Sequence, residues 1–267
     1  MSNPSESQDL VTTIDGAVAW LRLDRPRQQN ALSFALVEAM DAEVIRLTMD
    51  EAVRVLVITG TGSAFCAGVD LKDSGFEEVF RDGADRMKLP LRAHAMMARL
   101  RSCPKPIIAA LNGTTVAGGL ELALACDIRL ATASARIGDG HLRVGVIPGA
   151  GGAAVTPRLI GPGLAKLLLF TGDLWTAERA VAAGLVEAVA ADTEFSGFVT
   201  QVARRIAGHS PLALAVTKRL VADCASMTVE AGIAEELNAV RAYSRSEDFA
   251  EGIRAFKEKR APIFVGR

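Results

Sequence analysis

Short apolar runs rich in β-branched residues alternate with stretches of helical periodicity, and this alternation constrains the fold more than any other feature. Residues 53–59 and 107–111 are bounded by turn signals and are typical of buried strands. Residues 33–49 repeat apolar side chains at helical spacing. The pair Asp15-Gly16 lies between two further apolar runs and predicts a β-hairpin. Together these patterns predict an α/β fold with largely parallel strands.

The chain changes character at about residue 195. Before this point the alternation continues through helical stretches near 153–160 and 164–170 to a last predicted strand at 184–189. Beyond it only helical patterns follow, beginning where Ser210-Pro211 supplies an N-cap and a first-turn proline. We therefore predict a disordered tail at residues 1–10, an α/β core at 11–195 and a helical segment at 196–267. That segment is too thin to bury its own apolar faces, so it should pack on the core or on another subunit.

Charge and composition exclude several classes of protein. Thirty basic and 31 acidic side chains give a net charge of −1, which offers no electrostatic footprint for a nucleic acid or a membrane surface. The four cysteines match neither a zinc pattern nor a disulfide scaffold, so a reducing compartment is expected. The polar N-terminus lacks a secretory signal, and no apolar run reaches the about 18 residues of a membrane span. These features predict a cytoplasmic protein.

Two glycine-rich segments fail the tests for nucleotide-binding loops. Gly60-Thr61-Gly62 would need a third glycine at position 65, which is Phe65. Residues 149–152 lack the Lys-Ser/Thr pair that completes a phosphate loop. Neither segment therefore predicts a bound nucleotide by its own sequence.

Two other turns, at residues 64–70 and 113–121, expose backbone N–H groups. Gly118 and Gly119 allow a ligand to approach the backbone closely, and they open a helix whose free N–H groups suit a developing enolate oxygen. Glu121 lies on the first turn of this helix. Spacing alone leaves two interpretations of Glu121 open, a surface carboxylate that suits the helix dipole or a catalytic acid–base.

Several short motifs, in the same order along residues 11–264, resemble the crotonase (enoyl-CoA hydratase/isomerase) family. The matching segments are Leu23-Asp24-Arg25-Pro26 with Asn30-Ala31-Leu32, then residues 64–71, 106–113, 117–121, 146–152, 171–173 and 183–186, and finally Phe256, Lys259 and Arg260. The resemblance implies a spiral of ββα units with a C-terminal helical trimerisation segment. It further implies a homotrimer or a dimer of trimers, with an acyl-CoA substrate.

The resemblance also implies the site residues. The N–H groups of Val69 and Gly118 match the two donors of the family's oxyanion hole for the thioester carbonyl. Positions that match coenzyme A contacts are Arg27, Ala31, Ala67, Leu71, Lys72 and, toward a neighbouring subunit, Lys259. For Arg27 and Lys72 the alternative is a solvated surface charge. No metal is expected, and no cofactor beyond the coenzyme A moiety of the substrate.

Position 141 departs from the family pattern. Family hydratases use two glutamates; the first matches Glu121, whereas the second position holds His141. Three interpretations stay open: Glu121 and His141 act as a modified acid–base pair, Glu121 alone shuttles a proton, or His141 is structural and bonds to Asp139. No carboxylate stands at Gly149 or Ala150, which argues against aryl-CoA dehalogenation.

The expected reaction is hydration of a 2-enoyl-CoA through an oxyanion-stabilised enolate. Double-bond isomerisation, thioester hydrolysis, decarboxylation and non-catalytic acyl-CoA binding remain alternatives on the same fold. Residues 73–91 are expected to shape part of the acyl pocket. His94 and His209 are expected at the surface, and Cys66 is expected to be a small buried hydrophobe.

Overall fold

The computed structural model describes residues 9–73 and 87–267. The strands are β1 Leu10–Asp15, β2 Val18–Leu23, β3 Val55–Gly60, β4 Ala64–Cys66, β5 Ile107–Leu111, β6 Thr114–Val116, β7 Ile128–Thr132, β8 Arg136–Gly138, β9 Leu174–Thr176 and β10 Ala188–Ala190. The helices are α1 Phe34–Met49, α2 Lys88–Ser102, α3 Gly118–Leu124, α4 Gly152–Thr171, α5 Ala177–Ala183, α6 Phe195–Ala207, α7 Pro211–Cys224, α8 Val229–Tyr243 and α9 Glu247–Glu258. Short 3₁₀ helices cover Pro26–Gln28 and His141–Val144.

The larger sheet has the strand order β1-β2-β3-β5-β7-β10, and its strands are parallel apart from the β1–β2 hairpin. Asp15 pairs with Val18 across the predicted turn, so the hairpin prediction is confirmed. Every residue of β3 is buried, as expected for a strand covered on both faces.

Two hydrophobic layers cover the sheet. On one face Leu56 and Ile58 pack in the core that also contains the buried side of α1, whose N-cap Ser33 accepts a hydrogen bond from the Leu36 amide. On the other face Val55 and Val57 pack against α6. The stripe that α6 presents repeats every fourth residue, at Phe195, Val199, Ala203 and Ala207.

A second, smaller sheet runs in the order β4-β6-β8-β9 and was not predicted from periodicity. Each of its first three strands follows a long strand of the larger sheet, and β4, β6 and β8 are parallel to one another. Parallel strands bring their carboxyl ends to one edge, which is where ligands bind in open α/β sheets. The segments that follow β4, β6 and β8 therefore meet at a single edge.

Helix α2 was not predicted, although its buried residues repeat at helical spacing: Leu89, Ala93, Met96, Met97 and Leu100. The strand predicted at residues 184–189 is wrong in extent, because only Ala188–Ala190 is extended. Gly184 instead ends α5 in a left-handed conformation, and Leu185 and Val186 are buried in the turn that follows.

Helix α4 is, among the described residues, the one helix long and apolar enough by composition to cross a membrane. Gly161 breaks it with a non-helical backbone conformation, at the point where the sequence predicted two separate helical stretches. Each part is well short of the about 20 residues that a span requires. Ile160 and Leu168 are buried in the core, whereas Leu164, Leu167 and Phe170 are exposed, so α4 packs on the core through one side only.

The C-terminal helices α7, α8 and α9 bury few side chains, and none of α7 is buried. Their apolar residues include Val221, Leu237 and Phe256, of which Phe256 is 85% exposed. The division at about residue 195 stays a prediction, and α6, just beyond it, packs on the sheet. Of the predicted tail only Asp9 and Leu10 are described, and Leu10 begins β1.

Candidate active site

Three segments converge at the carboxyl ends of β4, β6 and β8, and together they form the candidate site. The segment after β4 contains Val69, the segment after β6 contains Gly118 and Glu121, and the segment after β8 contains Asp139 and His141. The topology of the small sheet thus brings together residues that are up to 72 positions apart along the chain.

The Val69 and Gly118 amides lie next to each other. A Cβ atom built on Gly118 would stand 3.5 Å from the Val69 nitrogen. In the described parts of the chain, neither amide donates a hydrogen bond to another residue. Two adjacent, unused N–H donors are the arrangement that an oxyanion requires.

The N-terminus of α3 packs closely against β4, and the residue before this helix has a strained backbone conformation. A Cβ atom on Gly119 would stand 2.0 Å from the Cys66 carbonyl oxygen, so only glycine fits. Ala117, the residue before α3, has a φ of 53° and a ψ of −119°, a conformation that costs about 1–3 kcal/mol. Its carbonyl nonetheless accepts the Glu121 amide at 3.0 Å, and the helix begins there.

Glu121 is buried, with 4% of its surface exposed. Its Oε1 accepts hydrogen bonds from the Ala150 amide at 2.7 Å and the Gly152 amide at 3.0 Å. The intervening Gly151 has a φ of 141°, which lets the turn aim both amides at one oxygen. Burial excludes the interpretation of Glu121 as a surface carboxylate, and the bonds to Oε1 leave Oε2 available for proton transfer.

His141 is bound to Asp139 through two groups. The His141 amide donates to Asp139 Oδ1 at 3.0 Å, and the ring Nδ1 lies 3.0 and 2.9 Å from the two carboxylate oxygens. Asp139 is completely buried, and His141 is 8% exposed. This bond was foreseen for a structural histidine, but the other ring nitrogen, Nε2, lies 3.7 Å from Glu121 Oε2. The ring therefore belongs to the same cluster as Glu121.

The pKa of the His141 ring is raised above its ordinary value. Burial lowers this pKa, but the hydrogen bond and negative charge of Asp139 and the charge of Glu121 outweigh the effect of burial. The net shift favours the protonated form of the ring. The cluster places this one ring between two carboxylates.

The segments 27–32 and 67–72, which contain most of the predicted coenzyme A contacts, run side by side. The Leu32 amide donates to the Gly68 carbonyl at 2.7 Å, and the Asp70 amide donates to the Leu32 carbonyl at 3.0 Å. Sequence reasoning missed the residue that joins them, Arg25, which donates to Asp70 Oδ2 at 2.9 Å and to the Ala31 carbonyl. The signal was present, since Arg25 and Asp70 both stand in the quoted motifs.

The individual predicted contacts differ in exposure. Arg27, Leu71 and Lys72 are exposed, whereas Ala31 is buried and Ala67 is half-buried. Lys259 is exposed at the C-terminal end of α9 and makes no hydrogen bond or ion pair to either segment in the described part of the chain. Five of the six residues thus stand on the two paired segments, and their contacts with coenzyme A stay a prediction.

Other residues behave as simple packing or surface groups. Cys66 is completely buried, and burial raises the pKa of its thiol to about 12, which suits a small hydrophobe. His94 and His209 are exposed, as predicted. A cleft of about 680 Å³ lies between the ends of α2 and α3 and helix α7, but its lining contains no residue of the candidate site. Most of the predicted pocket segment 73–91 lies outside the described residues.

The sequence profile described as enoyl-CoA hydratase/isomerase matches residues 13–267. The chain belongs to the enoyl-CoA hydratase/isomerase family. It is 35% identical over 259 residues to the 2,3-dehydroadipyl-CoA hydratase of Escherichia coli, covering 97% of this chain and 99% of that protein. It is 34% identical to the crotonyl-CoA hydratase of Syntrophomonas wolfei, over 97% of this chain and 99% of the relative.

A solved structure of an enoyl-CoA hydratase from Bacillus anthracis matches with a TM-score of 0.91 and 34% identity, over 97% of this chain and 100% of that one. The predicted resemblance and the crotonase-type α/β fold are therefore confirmed. As a family member, the chain is an enzyme of the hydratase/isomerase type that acts on acyl-CoA thioesters. The roles of its individual residues stay predictions.

Proposed function

We propose that this enzyme hydrates a 2-enoyl-CoA, with the Val69 and Gly118 amides as the oxyanion hole and Glu121 as the base. The main support for the proposal is the buried Glu121 carboxylate, which two backbone amides hold in place. It lies at the same sheet edge as two N–H donors that have no other acceptor among the described residues. Relatives named as hydratases favour hydration over the other reactions of the fold.

In the proposed reaction the thioester oxygen accepts hydrogen bonds from the Val69 and Gly118 amides. Water attacks the β-carbon and gives its proton to Glu121 Oε2, and the electron pair of the double bond moves into an enolate. The two N–H donors stabilise the negative oxygen, which is the largest contribution expected from such a site. Protonation of the α-carbon then completes a 3-hydroxyacyl-CoA.

His141 is proposed as the partner acid of Glu121. A ring nitrogen 3.7 Å from Glu121 Oε2 is close enough to share a small substrate with that carboxylate. The exposed cations Arg27 and Lys72 stand on the paired segments 27–32 and 67–72 and are proposed to meet the coenzyme A phosphates, with Ala31, Ala67 and Leu71 against the nucleotide. Lys259 is proposed to reach a neighbouring subunit's ligand.

The proposed assembly is a homotrimer or a dimer of trimers in the cytoplasm, with no metal and no cofactor other than the coenzyme A moiety of the substrate. The sparsely buried helices α7, α8 and α9 support a partner subunit, because exposed apolar side chains such as Phe256 and Leu237 favour burial. Neither a nucleic acid nor a membrane is proposed as a partner.

Incubation with short, medium and aromatic 2-enoyl-CoA esters, with products identified by mass, tests the proposal. Hydration adds the mass of one water. Isomerisation is the second candidate, because His141 replaces a glutamate and Glu121 alone can move one proton between carbons; it leaves the mass unchanged and shifts the double bond. Release of free coenzyme A or carbon dioxide, or binding without turnover, would refute the hydratase proposal.

A further inference from the structure

We infer that Asp139 is a positioning residue for the proposed hydration: it holds the His141 ring with Nδ1–H toward itself and Nε2–H toward Glu121, so that the ring delivers the proton to the α-carbon. This inference rests on the proposed function and assigns the source of the second proton. Asp139 does not touch the substrate in this scheme; it acts through His141.

The geometry allows one orientation of the ring. The carboxylate of Asp139 contacts both the amide and the Nδ1 of His141, so backbone and side chain are held by the same group. A Cβ atom on Gly152 would stand 3.3 Å from Asp139 Oδ2, which places this carboxylate against the first residue of α4. Turning the ring over would face Nδ1 away from its acceptor and would leave a buried carboxylate without that bond.

The charges around the ring favour its protonated form. Asp139 faces it from the segment after β8, and Glu121 faces it from α3. In the described part of the chain, the hydrogen bonds and ion pairs of the Asp139 side chain all go to His141, so this buried charge is balanced by the ring. Two cations on neighbouring segments have partners of their own: Arg101 of α2 donates to the Ala150 carbonyl, and Arg143 pairs with Asp173.

The proton balance closes over one turnover. Glu121 Oε2 takes a proton from water while His141 Nε2 gives one to the α-carbon, which leaves Glu121 protonated and His141 neutral. A proton then moves from Oε2 to Nε2 across the 3.7 Å gap, directly or through a water molecule, and restores both groups. Two carboxylates and one cationic ring carry a net charge of −1 and one transferable proton.

Nuclear magnetic resonance titration of the ring tests the inference without measuring turnover. The chain has three histidines; His94 and His209 are exposed and serve as internal reference signals, and His141→Gln identifies the remaining signal. In the wild type the His141 ring should be protonated at neutral pH. In Asp139→Asn its titration midpoint should fall by about 1–3 pH units, because the amide keeps the shape and loses the charge. Asp15→Asn, on the β1–β2 hairpin at an exposed ion pair with Arg204, should leave the midpoint unchanged.

Rate profiles test whether the reaction uses this proton. In Asp139→Asn the alkaline limb of kcat/KM should move to lower pH together with the midpoint of the ring. A neutral wild-type ring at pH 7, or an unchanged midpoint in Asp139→Asn, would overturn the inference, and the wild-type measurement decides even if the variant does not fold. Absence of hydration by the wild type across the ester panel would instead refute the proposed function itself.

Discussion

Replacing Glu121 with glutamine isolates proton transfer from the architecture that surrounds it. Oε1 of Glu121 accepts the Ala150 and Gly152 amides at 2.7 and 3.0 Å, and the amide oxygen of glutamine can accept both. The nitrogen of glutamine then takes the place of Oε2 and cannot accept a proton. The fold should therefore survive, and only the base should be lost.

The expected loss in kcat/KM is about 10²–10⁴-fold, the usual contribution of a general base. At about 1.36 kcal/mol for each factor of ten, this corresponds to about 2.7–5.4 kcal/mol of transition-state stabilisation. Alanine would be a poorer test. It would leave two buried N–H groups without an acceptor, each at a cost of about 1–3 kcal/mol, and would mix unfolding with lost catalysis.

The assay follows the loss of the conjugated enoyl thioester by absorbance and confirms the hydrated product by mass. Glu43→Gln is the matched control, because Glu43 is also a buried glutamate but pairs with Arg46 on α1. The control should keep wild-type turnover. If Glu121→Gln hydrates the substrate at a near-native rate, Glu121 is not the base and the proposed reaction is wrong.

The remaining predictions concern stability, reactivity and assembly. Gly119→Ala should lower the free energy of unfolding in urea by at least about 2–3 kcal/mol, because the added Cβ would meet a backbone oxygen at 2.0 Å. Gly163→Ala, where the added Cβ meets open space, should be neutral or stabilising. Equal effects of the two substitutions would contradict the packing argument. A thiol reagent should label half-buried Cys224 and spare Cys66 in the native protein; rapid loss of Cys66 would contradict its burial. The wild type should have a higher free energy of unfolding than His141→Gln. This difference should be largest below about pH 6.5 and should decline as the pH rises through the raised pKa of the ring. A pH-independent difference would contradict that shift. Light scattering should give a trimer or hexamer at micromolar concentration, and a monomer would contradict the docking of the C-terminal helices.

The central strands β3 and β5 could be predicted from the sequence because each is an apolar run that is covered on both faces. β3 and β5 were found in this way, and the Asp15-Gly16 turn gave the hairpin. The short strands could not be predicted by periodicity, since three residues, as in β4 or β6, contain no measurable alternation. Only the resemblance to a family implied the repeated strand pairs from which the small sheet is built.

Helix α2 is a different case, because its helical periodicity is present in the sequence but was overlooked beside the polar stretch that precedes it. Leu89, Ala93 and Met97 repeat every fourth residue, which predicts a buried helical face. Residues 73–91, a polar stretch that contains glycine, were expected to shape the acyl pocket, and no helix was predicted there. The apolar spacing was the better guide, since burial depends on the face that a helix presents and not on its mean polarity.

The burial of Glu121 could not be predicted from its position on the first turn of a helix. Surface glutamates occupy such positions because they suit the helix dipole, and their spacing in the sequence is the same as that of a buried catalytic glutamate. What distinguishes this glutamate is the turn at Ala150 and Gly152, which lies 29 and 31 residues further along the chain and donates two N–H groups to it. A contact between segments that distant requires the tertiary fold, so burial had to be observed.

The pair Asp139 and His141 lies between these extremes, because the bond between them was one of the interpretations that the sequence left open. An aspartate whose side chain accepts the amide two residues on forms a common turn. When the residue at that amide is a histidine, its Nδ1 is carried to the same carboxylate and its Nε2 must point away. The substitution at position 141 therefore should be judged together with position 139. A histidine alone is a poor replacement for a carboxylic acid, whereas the charge and hydrogen bond of a buried aspartate raise the pKa of the ring and favour its protonated form. A chain with this histidine and no acidic residue two positions before it should lose the raised pKa and, with it, the alkaline part of its activity range.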